Sequence, residues 1–242
     1  MSNVILEAKN LTMKFGGLTA VDNASIHVNE GEILGIIGAN GAGKTTFFNM
    51  ISGVYSPTSG KVFFQGKEFK RAKAYTMCKA GIGRTYQICQ PFEGISVLQN
   101  VMTGALVRTA NIAVAREKSE AILEKLGMIE RKDVFGKDLS LPQLKRLEMA
   151  KALATEPKLL LLDEVLAGLN PTECDEMVEL IAELRESMGI SIIMIEHIMR
   201  AIMKLSDRIY VLNQGQIIAE GTPSEISVNP EVIKSYLGGE GK

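Results

Sequence analysis

The chain has 242 residues, of which 46% are hydrophobic, and 27 basic side chains stand against 28 acidic ones for a formal net charge of −1. That length supports one substantial core, or a core with a small subdomain, and the apolar content excludes a disordered chain. A balanced charge argues against nucleic acid as a partner, because no basic excess supplies the field that a phosphate backbone needs.

Residues 1–10 lack a basic start followed by a long apolar core, and no run reaches ~18 apolar residues, so neither a secretory signal nor a membrane span is expected. Cys78, Cys89 and Cys174 show no metal-ligand spacing and read as free thiols of a reducing cytoplasm. Residues 4–8, 24–28 and 33–37 read as strands separated by turn signals at Gly16-Gly17 and Asn29-Glu30-Gly31.

The third of these, Ile33-Leu34-Gly35-Ile36-Ile37, is apolar throughout and suits a buried parallel strand. It runs into Gly38-Ala39-Asn40-Gly41-Ala42-Gly43-Lys44-Thr45-Thr46, which fits the phosphate-loop pattern G-x-x-x-x-G-K-[ST] between a strand and a helix predicted over 45–52. Glycines at these spacings let the backbone turn its N–H groups, and a helix N-terminus, towards phosphate oxygens. Lys44 would then reach the β- and γ-phosphates and the Thr45 hydroxyl would complete a Mg²⁺ shell. The alternative is a plain glycine-rich turn, but at average glycine usage the pattern arises by chance in roughly one such chain in a hundred.

Pro57-Thr58-Ser59-Gly60 is a turn before a further strand over 61–64, so a β-rich layer surrounds the loop. From 88 to 155 the pattern becomes helical, with Ser96-Val97-Leu98-Gln99 resembling a capping box and a helix over 116–126 ending at Gly127. Leu159-Leu160-Leu161-Leu162 then forms an apolar strand closed by Asp163-Glu164. Asn170-Pro171 opens a helix to about Met188, and strands over 191–195 and 208–212 complete an α/β alternation.

Two adjacent acids at a strand's carboxyl end suit a phosphate-loop protein, one to hold Mg²⁺ and one to orient or deprotonate an attacking water. Taken alone, the same pair is an ordinary acidic turn; the phosphate loop makes that the weaker reading. His197 follows the strand over 191–195 at the edge where phosphates lie, although a lone histidine is more often a packed or surface residue.

As a set, these residues resemble the ATP-binding cassette family of transport ATPases over nearly the whole chain, from Leu11 to about Ile226. The resemblance implies an α/β P-loop NTPase core with a parallel sheet (residues 1–87 and 156–242), an N-terminal antiparallel β layer and an inserted α-helical subdomain (88–155). It implies that Phe15 stacks on adenine, that Gly38, Ala39, Asn40, Gly41, Ala42, Gly43, Lys44, Thr45 and Thr46 hold the phosphates of ATP, and that Gln87 senses Mg²⁺ and the γ-phosphate. Asp163 becomes a Mg²⁺ ligand beside Thr45 and Gln87. Glu164 becomes the catalytic carboxylate, His197 the switch histidine, and the stretch Ala167-Gly168-Leu169-Asn170 the loop that touches a partner subunit. The duller readings, Phe15 as core and Gln87 as surface, are hard to keep for all of them in this order.

One motif departs from the family. The signature Leu-Ser-Gly-Gly-Gln reads here Leu139-Ser140-Leu141-Pro142-Gln143; Ser140 is a good N-cap and a first-turn proline spares the helix, but one backbone donor is lost. Ser140 and Gln143 are expected on the nucleotide of the partner subunit, so Pro142 damages the partner's site and predicts a heterodimer with a distinct ATPase. Gly81-Ile82-Gly83-Arg84-Thr85-Tyr86-Gln87, the stretch from Asp163 to Pro171, and Ala219-Glu220-Gly221-Thr222-Pro223 are similar to the ATP-binding subunits of branched-chain amino acid importers. The expectation is therefore a cytoplasmic ATPase, peripheral on the inner face of the membrane, bound to two permease subunits and driving import of hydrophobic amino acids. Other transporters of the family, of lipid or urea type, remain open, as does a soluble clamp ATPase working without a permease. A small-molecule phosphotransferase would leave the order of Ser140, Gln143 and Asn170 unaccounted for.

Overall fold

The structure is a computed structural model, and it describes residues 3–237. The fold is α/β, and the chain divides into two compact units, Met1–Ala80 with Ser191–Lys242, and Gly81–Ile190.

The first unit begins with β1 (Val4–Phe15) and β2 (Leu18–Asn29), an antiparallel pair. Both run well beyond the predicted residues 4–8 and 24–28. Register shifts interrupt the ladder near Asn10 and Asn23, whose backbones are left-handed at φ 52° and 53°. Asparagine tolerates that conformation better than most residues, and the Asn10 Nδ2 donates to Asn23 Oδ1 at 2.9 Å across the irregularity. A bulge resets the two-residue alternation, so one long strand looks like a short strand and a loop. Next come β3 (Ile33–Ile37), α1 (Lys44–Ile51), β4 (Ser59–Phe64), β5 (Lys67–Phe69) and α2 (Ala74–Ala80). The strands β2, β1, β4 and β5 form an antiparallel layer in that order.

The second unit opens with β6 (Ile82–Arg84), which pairs in parallel with β7 (Leu159–Asp163). Between them lie α3 (Val97–Ala105), α4 (Ile112–Lys125) and α5 (Leu141–Ala154), which pack on one another, and α6 (Pro171–Met188) follows β7. Gly104 lets α3 approach α5 closely, since a β-carbon there would lie 2.4 Å from the Lys151 carbonyl oxygen. The predicted capping box at Ser96 and Gln99 starts α3. The helix α4 starts earlier than expected because the Asn111 side chain accepts from the backbones of Ala113 and Val114. Residues 85–95, by contrast, carry no helix. Their backbone is held by side chains instead: Asn100, fully buried, accepts from the Phe92 N–H at 2.8 Å and donates to the carbonyls of Phe92, Ile95 and Ser96.

The chain then returns to the first unit through β8 (Ser191–Ile195), α7 (Met199–Leu205), β9 (Arg208–Asn213), β10 (Gln216–Gly221), α8 (Pro223–Ser227) and α9 (Pro230–Leu237). Here β3 lies between β8 and β9, parallel to both, with β10 antiparallel on β9. All five residues of β3 are buried, as a strand covered on both faces requires. Among the described residues no helix is long and apolar enough to cross a membrane, and Cys78, Cys89 and Cys174 are free thiols.

Candidate functional site

In the first unit, residues 38–43 leave the carboxyl end of β3 and turn into α1. Gly43 sits at the helix N-cap with φ 103°, and a β-carbon there would fall 2.4 Å from the Ala20 carbonyl oxygen. Only glycine meets both demands without moving the backbone. Lys44 opens the helix and is buried; its ammonium donates to the carbonyls of Gly38 at 2.7 Å and Ala39 at 3.1 Å, so the loop wraps its own cation. The first turn of α1 carries no acidic residue to offset the positive end of the helix dipole. Ala39, Asn40, Gly41 and Thr45 are exposed, Thr46 is half-buried and Ala42 is buried. His197 is exposed two residues beyond β8. Because β8 and β3 are parallel, with Ile195 opposite Ile36, His197 and Gly38 leave the same edge of the sheet. Phe15 is 43% exposed, which removes it from the core, and its ring meets Tyr55 edge-on at 5.5 Å.

In the second unit the acids stand at the carboxyl end of β7. Asp163 is 2% exposed. Its Oδ2 accepts from the Arg84 guanidinium at 2.9 Å and its backbone N–H donates to Thr85 Oγ1 at 3.2 Å, while the Thr85 N–H donates to the Leu161 carbonyl. Burial raises the Asp163 carboxyl above the usual range, and the bond to Arg84 opposes that rise. The second oxygen, Oδ1, is buried without a hydrogen-bond partner. A buried carboxylate oxygen with no donor is costly, and it suits a hard divalent cation, which takes oxygen ligands.

Glu164 follows with φ 51°, the left-handed region in a residue that has a side chain. Its Oε2 accepts from Gln87 Nε2 at 2.7 Å, which brings two of the sequence-predicted residues together. Lys145, only 3% exposed, donates to the carbonyls of both Gln87, at 3.2 Å, and Glu164, at 3.0 Å.

Ser140 caps α5, and its backbone N–H donates to Gln143 Oε1 at 3.0 Å, so Gln143 is turned onto its own helix end. Pro142 occupies the first turn, where its missing N–H has no intrahelical partner to lose. Gly168 lies against Leu141, a β-carbon at Gly168 falling 2.8 Å from Leu141 Cδ2, and Asn170 caps α6 by accepting from Glu173 N–H at 3.0 Å. Sequence reasoning gave no role to Arg84, Thr85 or Lys145. The available signal was a charged residue at a buried phase of α5, Lys145 standing one helical turn before the buried Met149.

Residues 21–167 match the family model of the ABC transporter, and residues 216–242 match that of the branched-chain amino acid ATP-binding cassette transporter. The chain is 41% identical to the high-affinity branched-chain amino acid transport ATP-binding protein LivG of Salmonella typhimurium, covering 98% of this chain and 99% of that one. It is 38% identical, with the same coverage, to BraF of Pseudomonas aeruginosa, a protein of the same description. The crystal structure of the ADP conformation of MJ1267, an ATP-binding cassette of an ABC transporter, superposes with a TM-score of 0.88 at 32% identity over 97% of this chain and 99% of that one. The chain therefore belongs to the ATP-binding cassette transporter family, as a nucleotide-binding subunit that hydrolyses ATP.

Proposed function

We propose that this chain powers the import of branched-chain or related hydrophobic amino acids, docked as a peripheral subunit on the cytoplasmic face of two membrane permease subunits. The observation that carries the reading is the conjunction of the phosphate loop around Lys44 with the C-terminal match over 216–242 to the branched-chain family. Residues 38–46 hold the phosphates of ATP, the Lys44 ammonium exchanging the carbonyls of Gly38 and Ala39 for phosphate oxygens, and Phe15 offers its exposed face to adenine. Thr45, Gln87 and Asp163 would hold Mg²⁺, which would supply charge stabilisation for phosphoryl transfer. Glu164 takes the proton of the attacking water, Gln87 orients that carboxylate, and His197 contacts the γ-phosphate.

The partner is a second, distinct ATPase. Ser140 and Gln143 face the nucleotide on the partner's phosphate loop, and Pro142 removes one backbone donor there. A hydrogen bond to a charged phosphate contributes roughly 1.5–3 kcal/mol, so closure on that nucleotide weakens by about 10- to 150-fold. A homodimer would carry the defect twice, whereas a heterodimer confines it to one site. The test is uptake of leucine, isoleucine and valine by cells, or by reconstituted transporter, in which each phosphate-loop lysine is disabled separately. Lys44→Ala nearly abolishes uptake and the matching change in the partner is milder. Equal losses refute the asymmetry, and unchanged amino acid uptake without this chain refutes the substrate.

A further inference from the structure

The reading above leaves the buried ammonium of Lys145, in the second unit, without a task. Taking an ammonium out of water costs several kcal/mol unless good partners receive it. The hydrogen bonds of this one go to two backbone carbonyls, those of Gln87 and Glu164, which are separated by 77 residues of sequence. Both belong to the pair whose side chains meet at 2.7 Å. Glu164 is thus held at two points. Its carbonyl is fixed by Lys145, its carboxylate by Gln87, and between them its backbone stays in a left-handed conformation that costs a side-chain-bearing residue about 1–2 kcal/mol.

The same face of α5 extends the clamp. Glu148 and Lys151 lie one and two turns beyond Lys145, and there the Gln90 N–H donates to Glu148 Oε1 at 3.3 Å while Lys151 Nζ donates to the Gln90 carbonyl at 3.1 Å. Lys151 also bonds Glu148 at 2.6 Å, so the two act on Gln90 together. Residues spaced at i, i+3 and i+6 on one helix therefore grip the backbone of segment 87–90 at both ends, although that segment has no regular structure of its own.

We propose that Lys145 is a positioning residue for ATP hydrolysis, fixing Glu164 and Gln87 in mutual register from the helix that begins at Ser140. The proposal rests on the reading of Glu164 as the base. Because the grip comes from α5, the placement of the carboxylate follows the position of the helix whose N-terminus carries Ser140 and Gln143.

The test uses the full chain in its assembled transporter, with Lys145→Met, which keeps the aliphatic stem, and Lys145→Arg, which keeps the charge and donors. A displaced catalytic group lowers turnover steeply, so Lys145→Met drops kcat by about 10- to 100-fold while ATP affinity stays within about 2-fold, and Lys145→Arg recovers most of the loss. Amide hydrogen exchange in the isolated, nucleotide-free chain gives a readout independent of activity: amides 88–90 and 165–167 lose protection in Lys145→Met and regain it in Lys145→Arg. Unchanged kcat, unchanged exchange at those amides, or a kcat loss matched by equal losses of ATP affinity and melting temperature overturns the proposal. Full turnover in Glu164→Gln overturns the reading of Glu164 instead, and the exchange pattern judges the clamp separately from that result.

Discussion

The two units spend buried charge differently. In the first, a half-buried cation cluster lies at the amino end of the parallel strands: Arg208, which starts β9, donates to Glu32 at 2.8 and 3.1 Å, to the His27 carbonyl at 2.8 Å and to Tyr210, His27 Nε2 and Glu220. The phosphate loop leaves the opposite end of β3, and it is built of backbone, with Lys44 resting on carbonyls of its own loop. In the second unit the buried cations bond the two acidic residues, Arg84 the Asp163 carboxylate and Lys145 the Glu164 backbone carbonyl. The Arg208 cluster therefore stands at the strand end away from the phosphate loop, where it serves the fold. In the second unit, the Arg84–Asp163 ion pair and the Lys145 ammonium hold the functional groups directly.

The largest expected effect tests the functional side of that contrast. Glu164→Gln keeps the shape and still accepts from Gln87, but it cannot take a proton. Loss of a general base costs 10²–10⁴-fold in rate, so steady-state ATP hydrolysis falls by about that factor while ATP binding stays within about 2-fold. Next in size is a matched pair of variants. Removing one partner of a buried ion pair destabilises by about 3–5 kcal/mol, so Arg84→Met and Arg208→Met both lower the denaturant midpoint substantially. They separate in millimolar Mg²⁺. In Arg84→Met the Oδ2 of Asp163 loses its guanidinium donor, leaving it as unpartnered as Oδ1, and a divalent cation restores part of the stability by mass action; in Arg208→Met it restores none. Equal responses to Mg²⁺ would break the contrast.

Legibility in the sequence follows the same division. The phosphate loop is contiguous, its glycines and lysine are fixed by local backbone geometry, and nine consecutive residues announce it. The acids were legible because a leucine run and two carboxylates are also local. What holds them was not: Arg84 reaches Asp163 across 79 residues and Lys145 reaches Gln87 across 58, and no periodicity records such a contact. The alternation predicts strands only over 4–8 and 24–28 of the long β1–β2 hairpin because left-handed asparagines at 10 and 23 reset it. The sequence pattern places residues 88–95 in the helical region, but Pro91 and Gly94 interrupt it and the fully buried Asn100 bonds the backbone of Phe92 and Ile95 instead. In each case the missing information lies in a side chain that satisfies distant backbone or charge.

The smallest expected effect concerns the first unit alone, through the phenol of Tyr210. That ring is 3% exposed, and its hydroxyl bonds the Arg208 guanidinium at 3.2 Å and lies 3.3 Å from His27 Nδ1. Burial pushes its pKa up to about 12, and the guanidinium pulls only partly against this. An unfolded tyrosine titrates near 10, so the native state favours the neutral phenol and binds the proton more tightly than the unfolded chain does. The contribution is complete below pH 10 and disappears as pH rises through 12. Stability of the wild-type chain, followed as the denaturant midpoint, should therefore fall between pH 10 and 12, whereas Tyr210→Phe, which has nothing to ionise there, should lose less over the same interval. The guanidinium of Arg208, which burial lowers but bonds to Glu32 and Glu220 raise further, stays charged throughout, so the difference between the two chains isolates the phenol. ATP affinity measured over the same interval should not distinguish them, because the cluster lies at the end of β3 opposite the phosphate loop; a Tyr210→Phe change in nucleotide affinity would show that buried charge in the first unit reaches its functional loop after all.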